Sequence, residues 1–463
     1  MTTLLTLPSE ITIKIFTTLI VDLGDASPEP VVLRLSSICK SLRDLVINSP
    51  TLWSRIRLRD FPYDMSAAAL FVQRSQATLL EVSVYFDFVD HLDPEIILSY
   101  AVARWRKLTI RGPLSSEVKA FLQVIMETPT PDLTEVQLLS REQSDCNGGH
   151  CPLLLNASDA LRALTMRGCV SCLAPFPNLT KLNIFRLDCT YEEFRNLILG
   201  SPNLTTLILG ELQDYFPSET FLDPVISHRP LIEAPSVRNF AVGFTNVDIV
   251  PSDVPPLLTF LTMPNLEYLE VVGDRADYGE LSGKPFPALK TLCLRDVNFP
   301  QSDAALYRSF TSLEWLELQN VQGVELLTAP DKNGATPWPH LRTLRSGFWY
   351  EENCSWLEKL LDRRPRLTLE VPMEHKDDVF AITGHDVRFF TDELSGLIRV
   401  EEFVRAELED EEDWSDSDFD QEDFFGDGDN WDFEYDGMED EVDDGDDYFE
   451  EDDDGLEGVE GWF

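Results

Sequence analysis

The residues nearest to metal chemistry are four cysteines and a histidine. Cys146, Cys151, Cys169 and Cys172 read C-x4-C followed by C-x2-C, with His150 beside Cys151. Thiolates and imidazoles at short spacings are what a tetrahedral zinc site takes. The simpler reading is preferred: Cys169 and Cys172 flank the end of a short strand and the turn after it, where small thiols pack. No metal and no cofactor is therefore expected. Catalytic patterns are missing too, since the chain has no Gly-rich phosphate loop, no G-x-S-x-G and no H-E-x-x-H. His91, His228, His340 and His375 are scattered, with no nearby Cys or Ser partner that suggests a triad. No catalytic residue is expected, and binding is the chemistry that remains.

Binding residues need a scaffold, and the middle of the chain repeats one phrase. It reads "PDLTEVQL" at Pro131, "PNLTKLNI" at Pro177, "PNLTTLIL" at Pro202, "PNLEYLEV" at Pro264, "PALKTLCL" at Pro287, "TSLEWLEL" at Thr311 and "PHLRTL" at Pro339. Looser copies start at Ala77, Ala103, Asp159 and Pro235, and "PRLTLEV" at Pro365 closes the series. Most starts lie about 23 to 29 residues apart. Apolar residues two apart, such as Leu269 and Val271, share one face of a short strand. The Pro and Asn ahead of them set a turn. "SSEVKAFLQVIME", "TYEEFRNLILG" and "NCSWLEKLLDRR" offer helical spacing between strands. One such unit cannot bury its apolar face alone, whereas a stack of them buries a continuous core.

The units resemble irregular leucine-rich repeats over roughly residues 75 to 370. The asparagine that ends many repeat strands in that family is mostly replaced here, Asn320 being one candidate. In such a solenoid the concave face usually binds. Strand alternation assigns it Lys107, Thr109 and Arg111; Lys181, Asn183 and Phe185; Tyr268, Glu270 and Val272; Thr291, Cys293 and Arg295; Trp315, Glu317 and Gln319; Thr343 and Arg345. Arg111, Lys181, Tyr268, Arg295, Trp315, Glu317 and Arg345 are the candidate substrate-binding residues, most positions being solvated. Tyr, Trp and Arg are the types enriched at binding hot spots.

At the N-terminus, "LTLPSEITIKIFTTLI" places Ile11, Ile15 and Leu19 at i, i+4 and i+8, one stripe of a helix that Pro8 starts. The stripe is either a cap over the first repeat or a docking face of the helix-in-groove kind. Leu7-Pro8, Glu10-Ile11, Ile15-Phe16, Leu19, Leu35, Cys39-Lys40, Leu42-Arg43, Leu45 and Leu52-Trp53 then follow in an order that resembles the F-box motif over about the first 55 to 60 residues. Two departures stand out: Leu42 stands where that family usually has Trp, and the connector "VDLGDASPEPVV" is long. An F-box followed by leucine-rich repeats, as in fungal-type substrate receptors, implies a three-helix module docking on a Skp-type adaptor and through it a cullin. The adaptor-binding residues would be Leu7, Pro8, Ile11, Ile15, Leu19, Leu35 and Leu42, with part of the stripe, such as Ile15 and Cys39, still buried inside the module. The repeats would then hold a substrate protein for an SCF-type ubiquitin ligase. A leucine-rich scaffold acting without ubiquitin is the alternative.

Charge bounds the partners. The formal net charge is −46, which excludes nucleic-acid binding driven by Lys and Arg and disfavours anionic membranes. Residues 401–460 carry 32 acidic residues against the single Arg405. Such a segment repels itself and cannot bury a core, so a disordered acidic tail is expected, its aromatics giving it the composition of interaction segments. With no long apolar run and no basic n-region ahead of a cleavage site, an intracellular location, cytoplasm or nucleus, is expected. The eight Cys are then free thiols. The expected fold is α/β: an F-box over 1–60, a curved parallel solenoid with outer helices over 61–398, and the tail over 399–463.

Overall fold

The computed structural model describes residues 7–22, 28–58, 63–86, 101–112, 128–139, 159–169, 176–188, 191–212, 230–244, 261–273, 286–297, 310–321, 338–347, 360, 362–373 and 386–390. The chain divides into two units, Met1–Glu401 and Glu402–Phe463, and all described residues fall in the first. The expected acidic tail lies outside them.

The first unit opens with α1 (Ser9–Asp22), α2 (Pro28–Ile38) and α3 (Lys40–Ile47). Pro8 sits just ahead of α1, and its carbonyl accepts from Ile11 and Thr12 N–H at 3.1 Å each. A proline there forfeits no helical bond. Strands β1 (Arg55–Leu58) and β2 (Leu80–Tyr85) flank α4 (Tyr63–Arg74). There follow β3 (Trp105–Arg111), β4 (Glu135–Leu139), β5 (Ala163–Cys169), β6 (Lys181–Asp188), α5 (Tyr191–Leu199) and β7 (Thr206–Leu212). The series goes on with β8 (Ile232–Glu233), β9 (Asn239–Phe244), β10 (Leu261–Thr262), β11 (Tyr268–Val272), β12 (Thr291–Arg295) and β13 (Trp315–Gln319). It ends with β14 (Thr343–Ser346), β15 (Thr368–Pro372) and β16 (Asp386–Phe390).

Fourteen of these strands form one parallel sheet in sequence order, from β1 to β16, with β8 and β10 paired separately. This is a solenoid of parallel strands, as the repeated phrase predicts. It extends further at both ends than the phrase: β1 precedes the first copy and β16 follows the last. One core cluster runs from Phe16 to Val371, because each strand contributes its alternate apolar residues to the same side.

The phrase itself explains the stacking. The residue before each Pro accepts a backbone bond from the Leu three residues on, as in Leu179 to Phe176 (3.1 Å), Leu204 to Ser201 (3.0 Å), Leu266 to Met263 (3.2 Å) and Leu289 to Phe286 (3.1 Å). That is a β-turn with Pro at the position its fixed φ suits. The Asn after Pro reaches backwards: Asn203 Nδ2 donates to the Pro177 carbonyl and Asn265 Nδ2 to the Pro235 carbonyl, both at 2.8 Å. The Thr after Leu does likewise, Thr205 Oγ1 donating to the Thr180 carbonyl at 3.0 Å. "PNLT" thus encodes a turn, an anchoring Leu and two side-chain bonds to the previous unit. Strand exits demand a left-handed residue, and Gly112, Gly273, Asp296 and Asn320 supply it. Asn320, singled out as a repeat-ending asparagine, stands at such an exit and donates to Asp296 Oδ1 at 2.8 Å.

Between the strands, α5 matches "TYEEFRNLILG", burying Tyr191, Phe194, Leu197 and Ile198. The stretch "SSEVKAFLQVIME" lies outside the described residues, as does most of "NCSWLEKLLDRR". No described helix is long and apolar enough to cross a membrane.

Candidate functional site

Two surfaces carry the candidate residues. The first is built on α1 and α2. One side of α1 turns inward: Thr12, Phe16 and Ile20 are buried at i, i+4 and i+8. The neighbouring stripe stays out, with Ile11, Ile15 and Leu19 exposed at 47%, 43% and 44%. Leu33 and Ile38 add exposed apolar surface on α2. Ile15 was expected to be buried inside the module, and the helix phase corrects this: Phe16 takes the core position and Ile15 faces solvent. Cys39, expected to be buried, is half-buried against the core. Leu7 is half-buried and Pro8 exposed at the helix entry. Leu35 is half-buried, whereas Leu42 is only 5% exposed and packs with Val46 in the core. The stripe and Leu42 therefore do not share a surface.

Arg43 ties α3 to α2, its Nε donating to the Ser36 carbonyl at 2.9 Å. Beneath α3, Trp53 is buried, and its Nε1 donates to the Val46 carbonyl at 2.8 Å. Its ring meets Phe71 of α4 edge-on, with centroids 4.9 Å apart. Two residues further on, β1 begins, so Leu52-Trp53 fastens the helices to the sheet.

The second surface is the face of the sheet opposite the core. Register aligns the middle residue of each strand into one row: Arg57, Ser83, Thr109, Gln137, Thr165, Asn183, Ile208, Ala241, Glu270, Cys293, Glu317, Arg345, Glu370 and Arg388. Lys181, Tyr268 and Trp315 stand in the row two residues before it, and Arg111 and Arg295 in the row two after. The sheet thus brings all seven candidate residues to one face, on strands set apart by the stacking.

Most of this face was expected to be solvated, but Thr109, Thr165 and Arg167 in its first half are buried, and so are charged groups in its second half. Glu270 and Glu317 are 0% and 2% exposed, and Arg345 is also buried. Arg295 sits between the carboxylates, 3.1 Å from Glu317 and 3.7 Å from Glu270. Tyr268 donates its hydroxyl to Glu270 Oε2 at 2.9 Å. Burial pushes the Glu317 carboxyl above its ordinary range, outweighing the opposing pull of Arg295 and Arg345. It pushes the Tyr268 phenol and the Cys293 thiol up as well. Burial works against the Arg295 charge, yet Glu270 and Glu317 overcome it and hold the guanidinium above its usual value. Sequence alternation placed these groups on one face but gave no signal of their burial, since charged residues are rarely buried unless paired. In the third row, Phe185 lies across Gly210, where a Cβ would come within 2.5 Å of the ring.

Of the cysteine cluster weighed for zinc, Cys146, His150, Cys151 and Cys172 lie outside the described residues, and Cys169 ends β5. Among the described residues, no group of three or more metal-ligating side chains gathers.

Residues 4–59 match a family model described as F-box-like. No curated protein matches the chain. An F-box-like domain suggests a role in binding an adaptor.

Proposed function

We propose that this protein is the substrate-recognition subunit of an SCF-type cullin–RING ubiquitin ligase and performs no chemistry of its own. Its F-box-like domain docks on a Skp-type adaptor, and through it on a cullin. The parallel-strand solenoid, read as leucine-rich repeats of the fungal receptor type, holds a substrate protein on the face opposite the core. The observation that carries this reading is the stripe of Ile11, Ile15 and Leu19, left exposed within a segment that matches an F-box-like domain. Three half-exposed aliphatic side chains in helical register are what a partner's groove reads, and helix α1 has already used its other face for the core. Leu7 and Pro8 lead into the stripe, and Leu35 is half-buried on α2. Leu42 acts from inside, fixing α3 beneath it.

Mixing the full chain with a purified Skp-type adaptor tests the proposal. A stable one-to-one complex that Leu7→Ala/Pro8→Ala weakens is the expected result. If no complex forms with any Skp-type adaptor, the solenoid acts as a scaffold outside ubiquitin ligation.

A further inference from the structure

The joint between α2 and α3 is a basic island in an acidic chain. Residues 34–43 read "RLSSICKSLR", with Arg34, Lys40 and Arg43 and no Asp or Glu, although the formal net charge is −46. All three cations are exposed. Ser36, Ser37 and Ser41 lie among them. Ser37 is exposed, and Arg34 precedes it by three residues. Thr109 and Thr165 also follow an Arg by three residues, but both are buried in strands. The surroundings of Ser37 are apolar. Leu33 lies one turn earlier on the same helix face, its Cβ about 5–6 Å away by helix geometry, and Ile38 is the next residue. These two are 40% and 64% exposed, and they are the apolar surface that α2 presents. The Ser37 hydroxyl donates to the Arg34 carbonyl at 2.7 Å, and Ser36 Oγ donates to the Leu33 carbonyl at 2.6 Å. Both bonds lie in the last turn of α2, where helix carbonyls have no partner further along. Cys39 is already extended, with φ −157° and ψ 165°. Helix ends of this kind open more readily than helix interiors, which lets a kinase take the chain around Ser37 in extended form.

We propose that Ser37 is a phosphorylation site for a protein kinase that selects Arg three residues ahead of its target, and that the phosphate closes this surface to the adaptor. The proposal rests on the reading of α1 and α2 as the docking surface. Charge patterns of this kind set kinase choice. ATP supplies the phosphoryl group. Ser37 Oγ attacks the γ-phosphorus, the bond from that phosphorus to the β–γ bridging oxygen breaks, ADP leaves, and the hydroxyl proton passes to the kinase's carboxylate base. The phosphoserine carries about −1.5 to −2 charges at neutral pH. A partner's apolar groove that closes over Leu33 and Ile38 must strip water from that charge, which is costly without a paired cation. Arg34 and Lys40 are the nearest cations in sequence, but both are exposed, and ion pairs in solvent contribute little. The phosphate also stands at the negative end of the α2 dipole, which repels an anion. Desolvation therefore outweighs pairing, and docking weakens.

Full-length protein carrying phosphoserine at position 37, installed during translation, tests this beside the unmodified chain, each titrated with a purified Skp-type adaptor by calorimetry. The phosphorylated chain is expected to bind about tenfold more weakly or worse, with its thermal midpoint close to that of the unmodified chain. Ser37→Ala is expected to bind like wild type, and Ile38→Ala several-fold more weakly. Separately, the full chain is incubated with ATP and a panel of Arg-directed kinase catalytic domains, and the products are mapped by mass spectrometry. Phosphate is expected on Ser37, and Arg34→Ala should lower its incorporation about tenfold. Equal or tighter binding by the phosphorylated chain, a weakening that comes only with unfolding, wild-type binding by Ile38→Ala, or no phosphate on Ser37 from any kinase overturns the proposal. The two failures are distinct. If the unmodified chain binds the adaptor and the phosphate changes nothing, the docking reading stands and the switch falls. If the unmodified chain binds no adaptor, the docking reading falls and takes the switch with it.

Discussion

Replacing Ile15 with Ala isolates the docking face from the core. Burying an aliphatic side chain fully is worth roughly 1.5–3 kcal/mol, and Ile15 has 43% of its surface left to bury. Its remaining contribution to an interface is therefore about 1 kcal/mol, which weakens adaptor binding about fivefold on substitution. Ile11 and Leu19 have 47% and 44% left, so the triple alanine variant loses about 3 kcal/mol, a weakening of about 150-fold. Stability should hardly move, because surface truncations usually stay within about 0.5 kcal/mol. Phe16→Ala provides the contrast: one residue away but buried, it should cost about 3–5 kcal/mol of folding stability. Titration calorimetry with a Skp-type adaptor, alongside urea unfolding, measures both quantities. A triple variant that binds the adaptor as tightly as wild type, or an Ile15→Ala variant destabilised like Phe16→Ala, would show the assignment of the two helix faces to be wrong.

Other perturbations probe the stacking and the buried charges. Asn265→Ala removes a side-chain bond to the previous unit and should cost about 1 kcal/mol in denaturant unfolding; an unchanged midpoint means the backward bond contributes nothing. Gly273→Ala should destabilise by more than about 1 kcal/mol, since its φ is +106° and a Cβ would meet the Phe244 carbonyl at 2.5 Å; a neutral result contradicts the strand-exit argument. The Glu317 carboxyl is held above its ordinary 4.5 chiefly by burial. The folded chain therefore binds more protons than the unfolded one between that value and the raised one, and Glu317's contribution to stability falls as pH rises through the window. Glu317→Gln should flatten that fall in a series of thermal melts, and a difference from wild type that is constant with pH sinks the reasoning.

The strands were the most legible part of the chain, because each copy of the phrase contains both the turn and the alternation it needs. "PNLEYLEV" alone specifies a turn at Pro264, an anchor at Leu266 and inward Leu269 and Val271, and register carries that pattern to its neighbours. β1 was harder to see. "SRIRL" has the alternation of a strand but follows the Leu-Trp that closes the F-box resemblance, so it was grouped with the helices. Within α1, period alone could not choose between Ile15 and Phe16, since both belong to stripes spaced by four; packing under α3 decided it. Burial of Glu270 and Glu317 depends on Arg295, which the sheet sets between them from the neighbouring unit, and no local pattern records that pairing.

Strand β1 belongs at once to the segment matched as F-box-like and to the sheet, pairing with β2 from Arg55↔Glu81 to Leu58↔Val84. The family boundary is thus not a boundary in the backbone hydrogen bonding. Helices α2 and α4 pack against this strand, and the Trp53 indole locks it beneath α3. Cutting the chain at residue 60 would strip β2 of its partner and leave a bare row of amides and carbonyls, the template on which sheets of different molecules join. The N-terminal segment therefore also covers the edge of β2. A deletion meant only to abolish adaptor binding would also uncover that edge, and the loss of any partner in such a deletion would be ambiguous. Point changes on the exposed stripe avoid that, because it is a separate stripe of α1 from the buried one, Thr12, Phe16 and Ile20.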